Sequence, residues 1–172
     1  ISGIVGKRLG QSIMELGGNN AIIVSKEADL DIAIPAIVFG SVGTTGQRCT
    51  TTRRLIIHEE VYDEVKARLV RAYQQVARRI GNPLDGNVLI GPMVDQGAVQ
   101  LFTDALDEVK KEGGHILFGG EALSGKGYES GTYVVPALAE AENSFRIVQE
   151  ETFAPLLYLL RYKTIDEAIH MN

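Results

Sequence analysis

Apolar residues recur at helical spacing in several stretches of the chain, with polar residues between them. The clearest case begins at Val61, where Val65, Leu69 and Tyr73 fall on the same side of a helix. Thr164 precedes Asp166 and Glu167, a pattern typical of the start of a capped helix. The pattern predicts helices over residues 61–80 and 98–111, and helices that begin at Asp29 and at Thr164.

Short apolar runs lie between these helices and end at glycine, proline or polar residues, as strands do. Strands that alternate with helices are typical of an α/β fold. The sequence therefore predicts an α/β sheet. The predicted strands are residues 12–16, 20–24, 54–58, 116–118, 133–135 and 156–160.

The composition limits the classes of function. A chain of 172 residues that is 45% hydrophobic and 23% charged is typical of one globular domain. Its net charge of −5 offers no basic surface for nucleic acid, and no apolar run reaches the roughly 18 residues of a membrane helix. One cysteine and three scattered histidines give no metal-ligand spacing, so we expect no metal site. A single cysteine also favours a reducing, cytoplasmic compartment.

The two ends of the sequence also carry an expectation. The chain starts at Ile1 rather than at a methionine, and it stops at Asn172 within a predicted helix. We therefore expect residues 1–172 to be a piece of a longer protein.

Cys49 lies in a polar, glycine-rich segment, GTTGQRCTTT, rather than among the apolar neighbours of a core cysteine. An ordinary thiol is only a few per cent thiolate at neutral pH, so a nucleophilic cysteine needs a nearby positive charge or base. Arg48 is adjacent, and Gly43 and Gly46 allow close approach of a substrate to the backbone. Taken alone, these residues favour a small residue in a polar turn over a nucleophile.

Glu15 is the second candidate for chemistry. It lies between Met14 and Leu16 and is followed by two glycines. In a buried strand its pKa would rise toward neutrality, as a general base requires. The alternative is that Glu15 faces solvent on the polar side of an edge strand.

Three motifs resemble those of the aldehyde dehydrogenases. MELGGNN, from Met14, resembles the family's E-L-G-G-K motif, and GQRC, from Gly46, resembles its G-Q-x-C motif. The spacing of Glu15 and Cys49, 49 − 15 = 34 residues, is also that of the family. EETFAP, from Glu150, resembles E-E-x-F-G-P with alanine in place of glycine. With G-N-P and G-P-M between them, these motifs cover almost the whole chain.

Other residues narrow the resemblance to one subfamily of aldehyde dehydrogenases. Asn19 replaces the lysine that usually follows the two glycines, and Arg48 directly precedes the cysteine. This combination resembles the antiquitin-type α-aminoadipic semialdehyde dehydrogenases. The resemblance implies a mostly parallel sheet flanked by helices, the fold of the aldehyde dehydrogenase catalytic domain. It also implies that residues 1–172 are the central part of that domain, without the dinucleotide-binding domain and the C-terminal segment.

The resemblance assigns roles to individual residues. Cys49 would attack the aldehyde, and Glu15 would activate the water that hydrolyses the resulting thioester. NAD would be the cofactor, with Glu151 on its nicotinamide ribose and Phe153, Leu16 and Gly17 beside it. Arg48 would bind the carboxylate of a semialdehyde substrate; the alternative is that Arg48 pairs with a structural carboxylate and supports the loop.

The same resemblance implies a cytoplasmic enzyme of lysine degradation whose full-length form is a dimer or a tetramer. Its partner would be a small aldehyde, and neither nucleic acid nor a membrane. The isolated chain would be inactive. Two other readings stay open: a cysteine hydrolase or acyltransferase that needs no NAD, and a non-catalytic relic of the fold.

Overall fold

The five strands of the protein form one sheet with a single antiparallel edge. The structure is a computed structural model that describes residues 1–172. The strands are β1 (Ala21–Val24), β2 (Arg54–His58), β3 (His115–Phe118), β4 (Ala137–Glu140) and β5 (Leu156–Tyr162). They lie in the order β1-β2-β5-β4-β3, and every neighbouring pair is parallel except β3 and β4. The predicted α/β fold with a mostly parallel sheet is confirmed.

Six helices connect and cover the strands. Three of them begin at side-chain caps: the carboxylates of Asp29 and Asp95 accept from the N–H groups of Asp31 (3.0 Å) and Ala98 (2.8 Å), and the Thr164 hydroxyl accepts from the Glu167 N–H (3.3 Å). No helix is both long enough and apolar enough to span a membrane. The helices are α1 (Ser2–Lys7), α2 (Leu30–Val42), α3 (Tyr62–Ala77), α4 (Gln96–Lys111), α5 (Arg146–Gln149) and α6 (Ile165–Met171).

The sheet is buried on both faces, as parallel sheets usually are. In β2, Leu55 and Ile57 point into one apolar cluster, which also contains buried residues of α2 and α3. Ile56 points to the other face, into a cluster with buried residues of α4, α5 and α6. Because β2 is covered on both sides, its position is fixed, and the loop that leads into it is held against a rigid layer.

Two predicted strands are wrong. Residues 12–16 form no strand, and their side chains are exposed, Leu16 at 73%. A short apolar run needs a neighbouring strand for its backbone hydrogen bonds, and this one has none. Residues 133–135 make only an isolated bridge, Val134 with Ala122, and the real strand begins after Pro136, which has no N–H to donate.

Helix boundaries also differ from the prediction. Helix α3 spans Tyr62–Ala77 rather than residues 61–80, and α4 begins at Gln96 rather than at residue 98. The short helices α1 and α5 were not predicted, since six and four residues are too few to show a helical period.

Candidate active site

Three loops meet at the edge of the sheet where β1, β2 and β5 begin, called here the amino edge. One loop contains Glu15 to Asn20, the second contains Cys49, and the third is residues 150–155. Parallel neighbouring strands start at the same edge, so the loops lie side by side. The Asn20 side-chain N–H donates to the Cys49 carbonyl at 2.6 Å, which joins the first two loops directly.

The loop before Cys49 has an unusual backbone. Thr44 and Thr45 have φ of 54° and 53°, although β-branched residues rarely adopt the left-handed region. Such a residue costs about 1–3 kcal/mol and persists only where its surroundings hold it. The Thr45 hydroxyl donates to the Gly91 carbonyl at 3.0 Å, and the Gln47 side-chain oxygen accepts from the Val94 N–H at 2.9 Å. These bonds anchor the loop to the G-P-M segment.

Gly46 ties the cysteine loop to the third loop. Its φ is 67°, and a Cβ at this position would overlap the backbone of Ala154 and Pro155. Only glycine satisfies both conditions. The G-Q-x-C motif and the E-E-x-F-G-P motif are therefore in direct backbone contact.

Cys49 is exposed, and its peptide groups are well defined. Its carbonyl accepts from Asn20, and the Arg48 N–H donates to the Thr51 hydroxyl at 3.1 Å. The Cys49 N–H itself has no acceptor within the chain. This N–H is thus free to donate to a ligand, as the resemblance implies for the oxyanion.

Arg53 is the charged centre of the amino edge, and sequence reasoning missed it. Its side chain is only 1% exposed, and it forms a 3.0 Å ion pair with Glu151. Burial lowers the pKa of Arg53, and the charges of Glu151 and Cys49 oppose this effect. The adjacent dipeptide Arg53-Arg54 directly before an apolar strand was the available signal, because charges at a buried position need partners.

The residues expected beside NAD form one surface. The Glu151 side chain is 28% exposed and lies so close to Gly17 that a Cβ there would collide with its carboxylate. The Phe153 ring is 45% exposed, and the Arg53 guanidinium lies 5.2 Å from its centre. Leu16 is exposed beside Gly17. A carboxylate, an aromatic ring and a bare backbone in contact are a combination that fits a nucleoside sugar with a flat ring.

Glu15 and Arg48 are not brought into contact with Cys49. Glu15 is exposed and makes no hydrogen bond or ion pair. The Arg48 guanidinium lies over the Phe39 ring at 5.2 Å and donates to the Phe39 carbonyl at 3.4 Å. No carboxylate lies within ion-pair distance of Arg48, whose Nε is buried without an acceptor.

Arg48 lines a groove of about 550 Å³ between α2 and α3. The other lining residues are mostly apolar, and Cys49 is not among them. No group of three or more His, Cys, Asp or Glu side chains is placed to hold a metal ion.

The sequence matches the model of the aldehyde dehydrogenase family over residues 1–172. The chain belongs to this family. It is 46% identical over 172 residues to a putative aldehyde dehydrogenase family 7 member A1 homolog of Dictyostelium discoideum. The aligned region covers 100% of this chain and 33% of that protein. It is 46% identical over 170 residues to the bovine (Bos taurus) α-aminoadipic semialdehyde dehydrogenase. The aligned region covers 98% of this chain and 30% of that protein.

Solved structures agree with this assignment. Betaine aldehyde dehydrogenase of Staphylococcus aureus, solved in complex with NAD+, is similar with a TM-score of 0.92 and 25% identity, over 99% of this chain and 34% of that one. Lactaldehyde dehydrogenase of Escherichia coli gives a TM-score of 0.89 and 33% identity, over 99% and 35%. The predicted family and fold are confirmed, as is the resemblance to α-aminoadipic semialdehyde dehydrogenases. The chain spans about a third of the length of these relatives.

Proposed function

We propose that the chain is the central part of the catalytic domain of an NAD-dependent aldehyde dehydrogenase. The observation that carries this proposal is the contact of distant motifs at the amino edge. Gly46 abuts Ala154 and Pro155, Asn20 bonds to Cys49, and Glu151 abuts Gly17. These motifs have a shared purpose in this family, which is oxidation of an aldehyde on a cysteine.

Cys49 attacks the aldehyde carbon, and its own N–H donates to the developing oxyanion. The resulting thiohemiacetal loses hydride and becomes a thioester. When bound, NAD+ supplies the hydride acceptor for this oxidation. Glu15 then takes a proton from water, which attacks the thioester and releases the carboxylic acid and the Cys49 thiol. Exposure of Cys49 allows both the aldehyde and water to reach the sulfur.

Glu151, Phe153, Leu16 and Gly17 would hold the nicotinamide end of NAD. The Glu151 carboxylate has acceptor sites left beside its ion pair with Arg53, so it would accept hydrogen bonds from the ribose hydroxyls. The Phe153 ring and the bare Gly17 backbone leave room for the flat nicotinamide. The sequence contains no G-x-G-x-x-G dinucleotide-binding pattern, so we expect the 172 residues by themselves to be inactive.

The preferred substrate class is a semialdehyde that also carries a carboxylate, such as α-aminoadipic semialdehyde. Relatives at 44–46% identity carry that activity in their names. Arg48 provides the guanidinium that suits a carboxylate. Its present contacts are a ring and one long hydrogen bond, which a substrate carboxylate replaces easily. We expect the intact enzyme to act in lysine degradation, in the cytoplasm, as a dimer or tetramer.

The proposal is tested in the intact enzyme that contains this segment. NADH formation from a semialdehyde should disappear in Cys49→Ala. Glu15→Gln should retain the first burst of NADH and slow later turnovers by about 10²–10⁴-fold, the usual contribution of a positioned base. Steady-state turnover unchanged in Glu15→Gln contradicts the role of Glu15.

The same assays separate the other readings. Release of acid from an activated ester at full rate without NAD, together with no oxidation of aldehydes, indicates a hydrolase or acyltransferase. A Cys49 thiol that does not react with iodoacetamide and supports no turnover indicates a relic of the fold. Either result refutes the proposed function.

A further inference from the structure

The Arg53 guanidinium makes four hydrogen bonds to backbone carbonyls and one ion pair with Glu151. Arginine has five N–H donors in a fixed planar fork, and five acceptors surround this one. Lysine has three donors and no fork, so it cannot reproduce the arrangement. The acceptors are the carbonyls of Thr152 (3.1 Å), Gly18 (3.2 Å), Thr51 (3.1 Å) and Arg48 (3.1 Å), and the carboxylate of Glu151 (3.0 Å).

These acceptors belong to all three loops of the amino edge. Gly18 lies in the first loop, Arg48 and Thr51 flank Cys49, and Thr152 and Glu151 lie in the third. The Arg53 side chain is 1% exposed, so water does not compete for these bonds. One rigid group therefore sets the relative position of the loops.

The bond to the Arg48 carbonyl has a direct chemical consequence. This carbonyl and the Cys49 N–H belong to the same planar trans peptide, in which C=O and N–H point in opposite directions. Two donors hold this carbonyl, the Arg53 guanidinium at 3.1 Å and the Thr51 N–H at 3.0 Å. Arg53 and the Thr51 N–H together direct the Cys49 N–H away from themselves, and that N–H has no acceptor in the chain.

Arg54 provides an internal comparison. It is also buried, with 6% exposure, and its guanidinium also donates to backbone carbonyls. Its acceptors are those of Asn19, Met171 and Asn172, and it touches neither Glu151 nor the cysteine loop. Arg54 thus contacts the first loop through Asn19, as Arg53 does through Gly18, but lacks the contacts of Arg53 to Glu151 and to the cysteine loop.

We propose that Arg53 is a positioning residue that orients both the Glu151 carboxylate and the Cys49 N–H. This inference rests on the proposed function, because Glu151 is taken to bind the nicotinamide ribose. Arg53 contacts neither aldehyde nor cofactor. It fixes the two groups that do, so cofactor binding and oxyanion donation depend on one buried side chain.

The test compares Arg53→Lys with Arg54→Lys in the intact enzyme, using NAD+ binding by titration calorimetry. Arg53→Lys should weaken NAD+ binding by about 10–100-fold, the size of effect known for groups that orient a ligand-binding side chain. Arg54→Lys should change the affinity for NAD+ by less than about twofold. Both variants lose a buried guanidinium, so both should have a lower Tm. Equal NAD+ affinities in the two variants overturn the proposal.

A double-mutant cycle with Glu151→Gln measures whether the effects of the two substitutions on NAD+ affinity are coupled. A purely structural role of Arg53 would produce no such coupling. If Arg53 acts through Glu151, its effect on NAD+ affinity is much smaller once the carboxylate is gone, so the two effects do not add. Additive effects overturn the proposal. The burst of NADH at saturating NAD+ should also slow in Arg53→Lys, by less than the about 10²–10³-fold known for complete removal of an oxyanion donor.

Two outcomes need separate treatment. If Arg53→Lys does not fold, Arg53→Gln and Arg54→Gln replace the lysine pair and must show the same selective difference in NAD+ affinity. If the unmodified enzyme binds no NAD+, the proposed function fails, and this inference fails with it. If the unmodified enzyme binds NAD+ and Arg53→Lys binds it equally well, only the role of Arg53 is refuted.

Discussion

Gly46→Ala should destabilise the chain more than Gly131→Ala, an exchange of glycine for alanine at the same backbone φ. Gly46 has φ of 67°, and its added Cβ would overlap the backbone atoms of Ala154 and Pro155. A backbone cannot move aside as a flexible side chain does. The clash therefore has to be relieved by separating the cysteine loop from the third loop.

The chain offers a matched control in Gly131, whose φ is also 67°. Its added Cβ would meet only the Gln96 side-chain nitrogen at 3.5 Å, an ordinary contact. The left-handed backbone costs alanine about 1–2 kcal/mol at either site. The entropy that alanine removes from the unfolded chain is also common to both. The difference between the two variants is therefore the overlap alone, about 1–3 kcal/mol for an overpacked site.

Urea unfolding of the 172-residue chain measures this difference. With a slope of about 2 kcal/mol per molar urea, the midpoint of Gly46→Ala should lie about 0.5–1.5 M below that of Gly131→Ala. Iodoacetamide labelling should also change at Cys49 in Gly46→Ala only, since that loop is displaced. Equal midpoints would show that Gly46 does not abut residues 154 and 155, and the packing of the site would be wrong.

Two further predictions concern charged side chains. In the intact enzyme, Arg48→Ala should raise KM by about tenfold or more for an aldehyde that carries a carboxylate. The KM for a neutral aldehyde of the same length should not change. If activity falls equally with both aldehydes, Arg48 instead supports the loop through its contact with Phe39. Burial favours the neutral form of Glu140, but the hydrogen bond from Tyr62 and the charge of Lys66 outweigh it and lower the pKa of Glu140. Its stabilising contribution is therefore present above about pH 4.3, the ordinary value for glutamate, and is lost as the pH falls through the lowered pKa. Urea midpoints of Glu140→Gln should depend less on pH in that acidic range than those of the unmodified chain, and parallel curves would contradict the pairing.

The fold could be predicted where the sequence pattern is long or where a cap marks it. Helix α4 has four turns of apolar period and an Asp95 cap, and β2 and β5 are runs of apolar residues between polar loops. The run at residues 12–16 has the same local appearance as a strand. Whether such a run becomes a strand depends on a partner elsewhere in the chain, and no local pattern contains that information.

The motifs of the candidate site could be predicted from the sequence, but the hydrogen bonds that connect its loops could not. Cys49, Glu15 and Glu151 stand out because their neighbours form recognisable motifs. The roles of Asn20 and Arg53 do not stand out, since they consist of bonds to backbone carbonyls of residues up to 99 positions away. A carbonyl is the same chemical group at every residue, so the sequence does not indicate which ones a buried side chain will reach.

The Arg53-Arg54 dipeptide shows how one element serves two sides of the amino edge. Successive residues of an extended segment point to opposite sides, so two adjacent arginines cannot share a set of acceptors. Arg53 faces the loops that contain Cys49 and Glu151, and Arg54 faces Asn19 and the end of α6. Both are fixed by the start of β2, whose next residues, Leu55 and Ile56, are completely buried. The rigidity of the candidate active site thus derives from a buried interior strand of the sheet, and a change that loosens β2 should disturb the cysteine loop before it unfolds the chain.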